Sequence, residues 1–181
     1  MSTLVWYLDR AAALLAYPSL YLAVLTGIFY NTESFGPFHD AARRVHVELS
    51  VFAMLVTLLH AGLGVLDAWF VLTGAVPEPA YTQSYFLVGL AVGAGALLLL
   101  TVAVLGFTDA KRFDRPWGPR AVHAFAYGGF VFGVVHAVAV GTDAVGLVRP
   151  LVVPSLVFLA YVLLLRGLAL RGVVPTDTKG Q

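Results

Sequence analysis

Long apolar stretches, separated by short polar segments, dominate this chain. Five of them are long enough to cross the roughly 30 Å hydrocarbon core of a bilayer, which takes about 20 helical residues. They cover about residues 11–32, 45–70, 83–108, 121–142 and 147–170. Because backbone groups inside lipid must be hydrogen-bonded within their own segment, each span is predicted to be a helix. The pattern predicts an all-α integral membrane protein, a five-helix transmembrane bundle.

The composition supports a lipid environment and excludes several classes of protein. Of the 181 residues, 60% are hydrophobic and 12% are charged, against roughly 25% charged in a soluble domain. A soluble enzyme and a nucleic-acid binder are therefore excluded, and residues 1–181 are predicted to form one transmembrane domain. The chain has no cysteine, which also excludes iron–sulfur clusters, thiolate zinc sites and covalent haem attachment through CxxCH.

The distribution of lysine and arginine predicts how the chain is oriented. Cytoplasmic loops carry an excess of these residues. One face of the predicted bundle receives two of them, Arg10 and Arg149, and the other receives nine: Arg43, Arg44, Lys111, Arg112, Arg115, Arg120, Arg166, Arg171 and Lys179. We therefore expect a multi-pass protein of the cell membrane with its N-terminus outside, its C-terminus in the cytoplasm and its first span retained as an anchor. Spans two and four then run parallel, from inside to outside.

Four of the five histidines form two pairs on these parallel spans. His46 and His60 lie in span two, and His123 and His136 lie in span four. At about 1.5 Å of rise per residue, the two histidines of a span are about 20 Å apart along the helix. His46 is therefore level with His123 near the inner surface, and His60 is level with His136 near the outer one. Ionisable residues are rare within a bilayer and usually functional.

Each level offers two imidazoles from facing helices, the arrangement that axial ligation of a b-type haem requires. We predict an inner haem iron bound by His46 and His123 and an outer one bound by His60 and His136. Arg44 and Arg120 lie at the inner surface, where their guanidinium groups could pair with haem propionates. Small residues near the histidines would let a flat macrocycle approach the helices; these are Gly62, Gly64, Gly128, Gly129 and Gly133. Gly89 and Gly93 form a small-xxx-small pair that permits a close helix contact in span three.

The spacing in span four does not fit a straight helix. Thirteen residues leave His136 about 140° away from His123, whereas the 14 residues of span two keep its histidines on one face. Either span four is distorted near Gly128–Gly129, or the two haems sit at different positions around it.

Other polar residues leave alternatives open. The acids assigned to the spans, Glu48 and Asp67, lie near span ends, and Glu48 is a candidate for a quinone or proton route. His39 is predicted in a solvated loop. A haem-free transporter that uses the histidines for metal ions or protons is a second hypothesis, and it predicts acids at mid-membrane depth. Lys111 and Lys179 lie outside the spans, which excludes a retinal Schiff base.

The histidine spacing resembles that of the ferric reductase-like transmembrane domain superfamily. This superfamily includes the membrane parts of ferric reductases and NADPH oxidases and the haem-binding subunit of methionine sulfoxide reductase systems. The resemblance implies the same ligand assignment, with His46 and His123 on the inner haem and His60 and His136 on the outer one. Family members commonly have six spans, and many continue into a flavin and nicotinamide domain. The gamma subunit of respiratory nitrate reductase, also a five-span, two-haem protein, distributes its ligands differently.

Together these features predict a two-haem b-type membrane cytochrome that moves electrons across the bilayer, as the electron-transfer subunit of a membrane oxidoreductase. The expected donor is a separate flavoprotein, a redox protein or quinol, and quinone is a further candidate cofactor. The direction of flow, toward an acceptor at the outer face, is implied by the resemblance. A quinol-oxidising cytochrome b subunit of a respiratory complex is the nearest alternative function.

Overall fold

The computed structural model of this chain describes residues 2–31, 39–75, 83–108, 118–140, 146 and 148–170. The regular secondary structure of these residues is helical. The helices are α1 (Ser2–Asn31), α2 (His39–Leu72), α3 (Gln83–Thr108), α4 (Gly118–His123), α5 (Phe125–Val140) and α6 (Val148–Leu170). With α4 and α5 taken as one segment, five helical segments are long and apolar enough to cross a membrane. The prediction of an all-helical chain with five such segments is confirmed.

The predicted boundaries are close for α3 and α6 but too short at the start of α1 and α2. Helix α1 begins at Ser2 instead of residue 11, and α2 begins at His39 instead of residue 45. The prediction ended each span at charged residues, but backbone hydrogen bonding continues a helix beyond its apolar part. The 34 residues of α2 make a helix about 50 Å long, so α2 is longer than a bilayer core requires. Asp9 therefore lies inside α1.

Four helical segments form a bundle in which α2 and α5 are diagonal neighbours. Helix α1 packs along α2, and α3 packs along α5, so the chain forms two hairpins. The hairpins meet mainly through α1 with α5 and through α2 with α3, and α2 and α5 are not among the closely packed pairs of the described helices. Side chains on diagonal helices of a bundle point into its centre, where cofactor sites are commonly built.

Small residues bring the helices of each hairpin close together. In the first hairpin, Ala12 and Ala16 of α1 form a buried cluster with Val56 of α2. In the second, a Cβ atom at Gly89 of α3 would lie only 2.4 Å from a methyl carbon of Val140. The predicted small-residue contact of α3 is thus confirmed, since a side chain at Gly89 could not be accommodated without movement.

Helix α6 packs against the outside of this bundle. Its buried residues Val152 and Leu159 join Ile28 of α1 and Phe130 of α5 in one apolar cluster. The hydroxyl groups of Tyr17 in α1 and Ser155 in α6 are also hydrogen-bonded. Helix α6 therefore covers the seam between α1 and α5 on the outside of the bundle.

Candidate functional site: two histidine pairs

The structure brings the four histidines together as two facing pairs. The ring centres of His46 and His123 are 6.2 Å apart, and those of His60 and His136 are 5.9 Å apart. These are the pairs that the depth calculation predicted from the sequence. Each pair joins one histidine of the first hairpin to one of the second, across the diagonal between α2 and the α4–α5 segment.

Two of the histidines donate Nδ1–H to a backbone carbonyl of their own hairpin. Nδ1 of His46 lies 2.9 Å from the Ala23 oxygen in α1, and Nδ1 of His136 lies 2.8 Å from the Gly89 oxygen in α3. A carbonyl oxygen can only accept, so Nδ1 carries the proton. In the neutral imidazole this leaves the Nε2 lone pair available as a metal ligand. Such an outer hydrogen bond is typical of metal-ligating histidines because it fixes the ring and its tautomer.

His60 makes the corresponding hydrogen bond to a carboxylate. Its Nδ1 lies 2.7 Å from Oδ1 of Asp9 in α1, and the two side chains are each 24% exposed. Asp9 was not predicted as a site residue because it lies before the predicted first span. Once the register of the antiparallel hairpin is known its position follows, because the register that sets Ala23 opposite His46 also sets Asp9, 14 residues before Ala23, opposite His60, 14 residues after His46.

Two glycines leave the space that the histidine rings occupy. A Cβ atom at Gly27 of α1 would lie 2.8 Å from Cε1 of His46, and one at Gly93 of α3 would lie 3.1 Å from Cε1 of His136. The first distance is shorter than normal packing allows and the second is tight. Each ring is therefore held between a glycine and a carbonyl of the neighbouring helix, one on each hairpin.

A helix break after His123 accounts for the irregular spacing of the second pair. Helix α4 ends at His123 and α5 begins at Phe125. At the junction Ala124 N–H still donates to the Arg120 oxygen at 3.0 Å, but Tyr127 N–H donates three residues back, to the Ala124 oxygen, at 3.1 Å. A distortion near Gly128–Gly129 was one of the two alternatives, and the break lies four residues earlier. It falls between His123 and His136, each of which lies opposite its partner in α2.

The glycines named in the sequence analysis have different surroundings. Gly129 serves helix packing, since a Cβ atom there would lie 2.7 Å from Cγ of Leu100 in α3. Gly133, one turn before His136, is half-buried, yet no atom lies within 4 Å of the position its Cβ would take. Gly62 is exposed with the same open surroundings. Gly133 is thus the half-buried glycine of this group with open space at its Cβ position.

The two predicted arginines closely precede the histidines of one pair. Arg44 comes before His46 in α2, and Arg120 comes before His123 in α4. Arg44 and Arg120 are both exposed, and Arg44 lines a surface depression together with Asp40 and Arg43. At about 100° per residue, Arg44 points about 160° away from His46, whereas Arg43 is within about 60° of it. Arg43 lies three residues before His46, just as Arg120 lies three residues before His123. A propionate contact by Arg44 stays a prediction, and helix geometry favours Arg43 for that role.

The remaining polar candidates lie apart from the two pairs. His39 was predicted in a loop, and this is wrong: it begins α2 and stacks on Tyr30 of α1, with ring centres 4.5 Å apart. Glu48 is exposed on α2. Asp67 is half-buried, about two turns of α2 beyond His60.

The pair geometry suits two ligands of a single metal atom. When two imidazoles bind the same metal atom from opposite sides, each at about 2 Å, their ring centres are about 6 Å apart. Both pairs show this distance. Within the described part of the chain, no three His, Cys, Asp or Glu side chains form a group that could hold a metal ion. Haem iron takes four ligands from its macrocycle, so two imidazoles complete its coordination.

Comparison with known proteins identifies the family of this chain. A family model described as a domain of unknown function, DUF8596, matches residues 4–143. The chain belongs to the DUF8596 family. The matched segment contains both hairpins and all four paired histidines, whereas α6 lies outside it. No curated protein and no solved structure matches this DUF8596 chain, so the resemblance to the ferric reductase-like domain stays a prediction.

Proposed function

We propose that this DUF8596 protein is a two-haem b-type cytochrome that moves electrons across the cell membrane. The observation that carries the proposal is the pair geometry: two imidazole pairs with ring centres 6.2 and 5.9 Å apart. In both pairs, at least one ring already donates Nδ1–H to a neighbouring helix, which leaves Nε2 for the metal.

The chain offers support for a membrane environment. Its five apolar helical segments have mean hydropathies between 1.5 and 2.5 over their most apolar windows, and many large apolar side chains are exposed on their surfaces. Large exposed apolar surfaces of this kind favour contact with lipid over contact with water. The uneven distribution of lysine and arginine favours an outside N-terminus and a cytoplasmic C-terminus.

In this proposal the protein residues supply ligation, orientation and insulation. His46 and His123 would hold the inner haem, and His60 and His136 the outer one. Haem iron supplies the one-electron redox chemistry when it is bound. Arg120, with Arg43 or Arg44, would pair with propionates at the inner level. The half-buried open space beside Gly133 gives a macrocycle room to approach α5.

The two levels are spaced for stepwise transfer across the apolar core. The 14 residues between His46 and His60 correspond to about 21 Å along α2, a large part of the roughly 30 Å core. The donor would be a separate flavoprotein, a redox protein or quinol, with quinone as a further candidate cofactor. The outer level would serve an acceptor, as the ferric reductase-like resemblance implies.

An optical spectrum of the purified protein tests the proposal. We expect reduced-minus-oxidised bands of b-type haem, about two haems per chain, and loss of one haem in His60→Ala with the other retained. His39→Ala is the matched control, because His39 belongs to neither pair and should leave both haems in place. A colourless protein after expression with adequate haem supply would refute the proposal and favour the haem-free transporter.

A further inference from the structure

The two histidine pairs differ in the groups that accept their Nδ1 hydrogen bonds. His46 and His136 donate to neutral backbone carbonyls. His60 donates to the Asp9 carboxylate at 2.7 Å, and both side chains are only 24% exposed. A hydrogen bond to an ionised acceptor is roughly twice as strong as one between neutral groups. One Nδ1 hydrogen bond of the His60–His136 pair therefore has a charged acceptor, whereas the hydrogen bond of His46 has a neutral one.

Charged residues also lie near both pairs, and Glu48 is two residues from His46. Asp67 is half-buried and follows His60 by about two turns of α2. Arg10, next in the chain, has its guanidinium carbon 3.7 Å from the centre of the Trp6 ring. Near the other pair, Arg43 and Arg120 each precede a histidine by one helical turn.

The register of the first hairpin fixes the Asp9 contact. Gly64 is one turn further along α2 than His60, and a Cβ atom added there would be 3.8 Å from Asp9 Oδ1. The carboxylate therefore lies beside this turn of α2. The contact joins two regular helices, so the backbone positions of Asp9 and His60 are both fixed by helical structure.

We infer that Asp9 is a positioning residue that orients His60 and lowers the midpoint potential of a haem iron bound by His60 and His136 below that of the other pair. This inference rests on the proposed function. The carboxylate makes the His60 imidazole a stronger electron donor to its metal, and its negative charge favours the ferric state, which carries more positive charge. At equilibrium, a single electron shared between the two irons then resides mainly at the His46–His123 pair.

This asymmetry bears on the direction of electron flow. An electron that enters at the His60–His136 pair would move downhill toward His46 and His123. Flow in the opposite direction, which the ferric reductase-like resemblance implies, would climb between the pairs and would need an acceptor that takes the electron onward. The Asp9 contact taken by itself therefore favours transfer from the His60–His136 pair to the His46–His123 pair, opposite to the direction that the resemblance implies.

A redox titration of the full-length protein tests the inference, after its haem content has been measured. We expect two midpoint potentials in the wild type, and the His46→Ala variant, which keeps the His60–His136 pair, should retain the lower one. Asp9→Asn preserves an acceptor oxygen but removes the charge. It should shift the ferric–ferrous equilibrium of the lower-potential haem about tenfold toward ferrous iron, a rise of about 59 mV, and leave the other haem unchanged.

Asp67→Asn is the matched control, since it changes a second half-buried carboxyl group without removing the hydrogen bond to His60. Its shift should be smaller than that of Asp9→Asn. Equal shifts in the two variants, an unchanged potential in Asp9→Asn, or retention of the higher potential in His46→Ala would each overturn the role of Asp9. Those results leave two bound haems and hence the proposed function intact, whereas a wild-type protein without haem would refute the proposed function itself. If Asp9→Asn does not fold, the wild-type and His46→Ala titrations still decide which pair has the lower potential.

Discussion

On the proposed function, replacing Gly27 with alanine tests whether the position of the His46 ring controls binding of one haem. The new Cβ atom would lie 2.8 Å from Cε1 and 3.2 Å from Nδ1 of His46. Because carbon atoms pack at about 3.5–4.0 Å, the ring must retreat by about 1 Å. Its hydrogen bond to the Ala23 oxygen, now 2.9 Å long, would weaken or break.

The size of the effect follows from the two interactions that this movement disturbs. Loss of one hydrogen bond costs about 0.5–1.5 kcal/mol, and a strained side-chain rotamer costs about 0.5–1.5 kcal/mol. Together they amount to about 1–3 kcal/mol, which corresponds to about 5- to 150-fold weaker ligation by His46. Alanine raises helix propensity by about 0.5–1 kcal/mol over glycine, so we expect the helical fold to persist while the His46–His123 haem is lost or loosely held.

The assay is the haem content and spectrum of the purified variant, with circular dichroism as the check of folding. Gly62→Ala is the matched control, because no atom lies within 4 Å of its added Cβ, and both haems should remain. Gly93→Ala should affect the other haem, and more weakly, since its Cβ would be 3.1 Å from the His136 ring. Two unperturbed haems in Gly27→Ala, or the same loss in Gly62→Ala, would refute this reasoning.

Three further predictions concern packing and orientation. Gly129→Val should destabilise the protein by about 1–3 kcal/mol through overpacking, because even a Cβ atom there would lie 2.7 Å from Leu100. Thermal unfolding in detergent would measure this loss of stability. An unchanged unfolding midpoint would contradict the close α3–α5 contact. Tyr17→Phe removes the hydrogen bond to Ser155 and should lower stability by about 0.5–1.5 kcal/mol in the same assay, with both haems kept. The chain lacks cysteine, so single cysteines introduced near each terminus can be labelled with an impermeant thiol reagent in intact cells: we expect label at the N-terminus only, and the reverse pattern would contradict the charge-based orientation.

The sequence was sufficient to predict the helices and the pairing of the histidines. Both predictions depend on properties that are regular along a helix, namely apolar length and rise per residue. The pairing of His46 with His123 followed from the nearly equal spacings of 14 and 13 residues on parallel helices. It depended on depth alone and not on the details of helix packing.

The contacts that hold the histidines could not be predicted in the same way. Asp9 and Gly27 become relevant only when the register of the α1–α2 hairpin is known, and the apolar pattern does not fix that register. The break at Ala124 follows from the hydrogen bonding of one residue, at a position where the sequence carries no glycine or proline. The Gly128–Gly129 pair, four residues later, was the stronger indication of a helix distortion in the sequence, but Gly129 packs against α3.

The division of the bundle into two hairpins explains how its site is built. Contacts within the hairpins orient three of the four paired histidines: Asp9, Ala23 and Gly27 act on the α2 rings, and Gly89 and Gly93 act on His136. The rings then meet across the diagonal between α2 and α5, which are not among the closely packed helix pairs. On the proposed function, a macrocycle that binds between the rings would leave in place the groups that orient these three histidines. Ligands preorganised in this way would need little rearrangement on binding, which favours affinity.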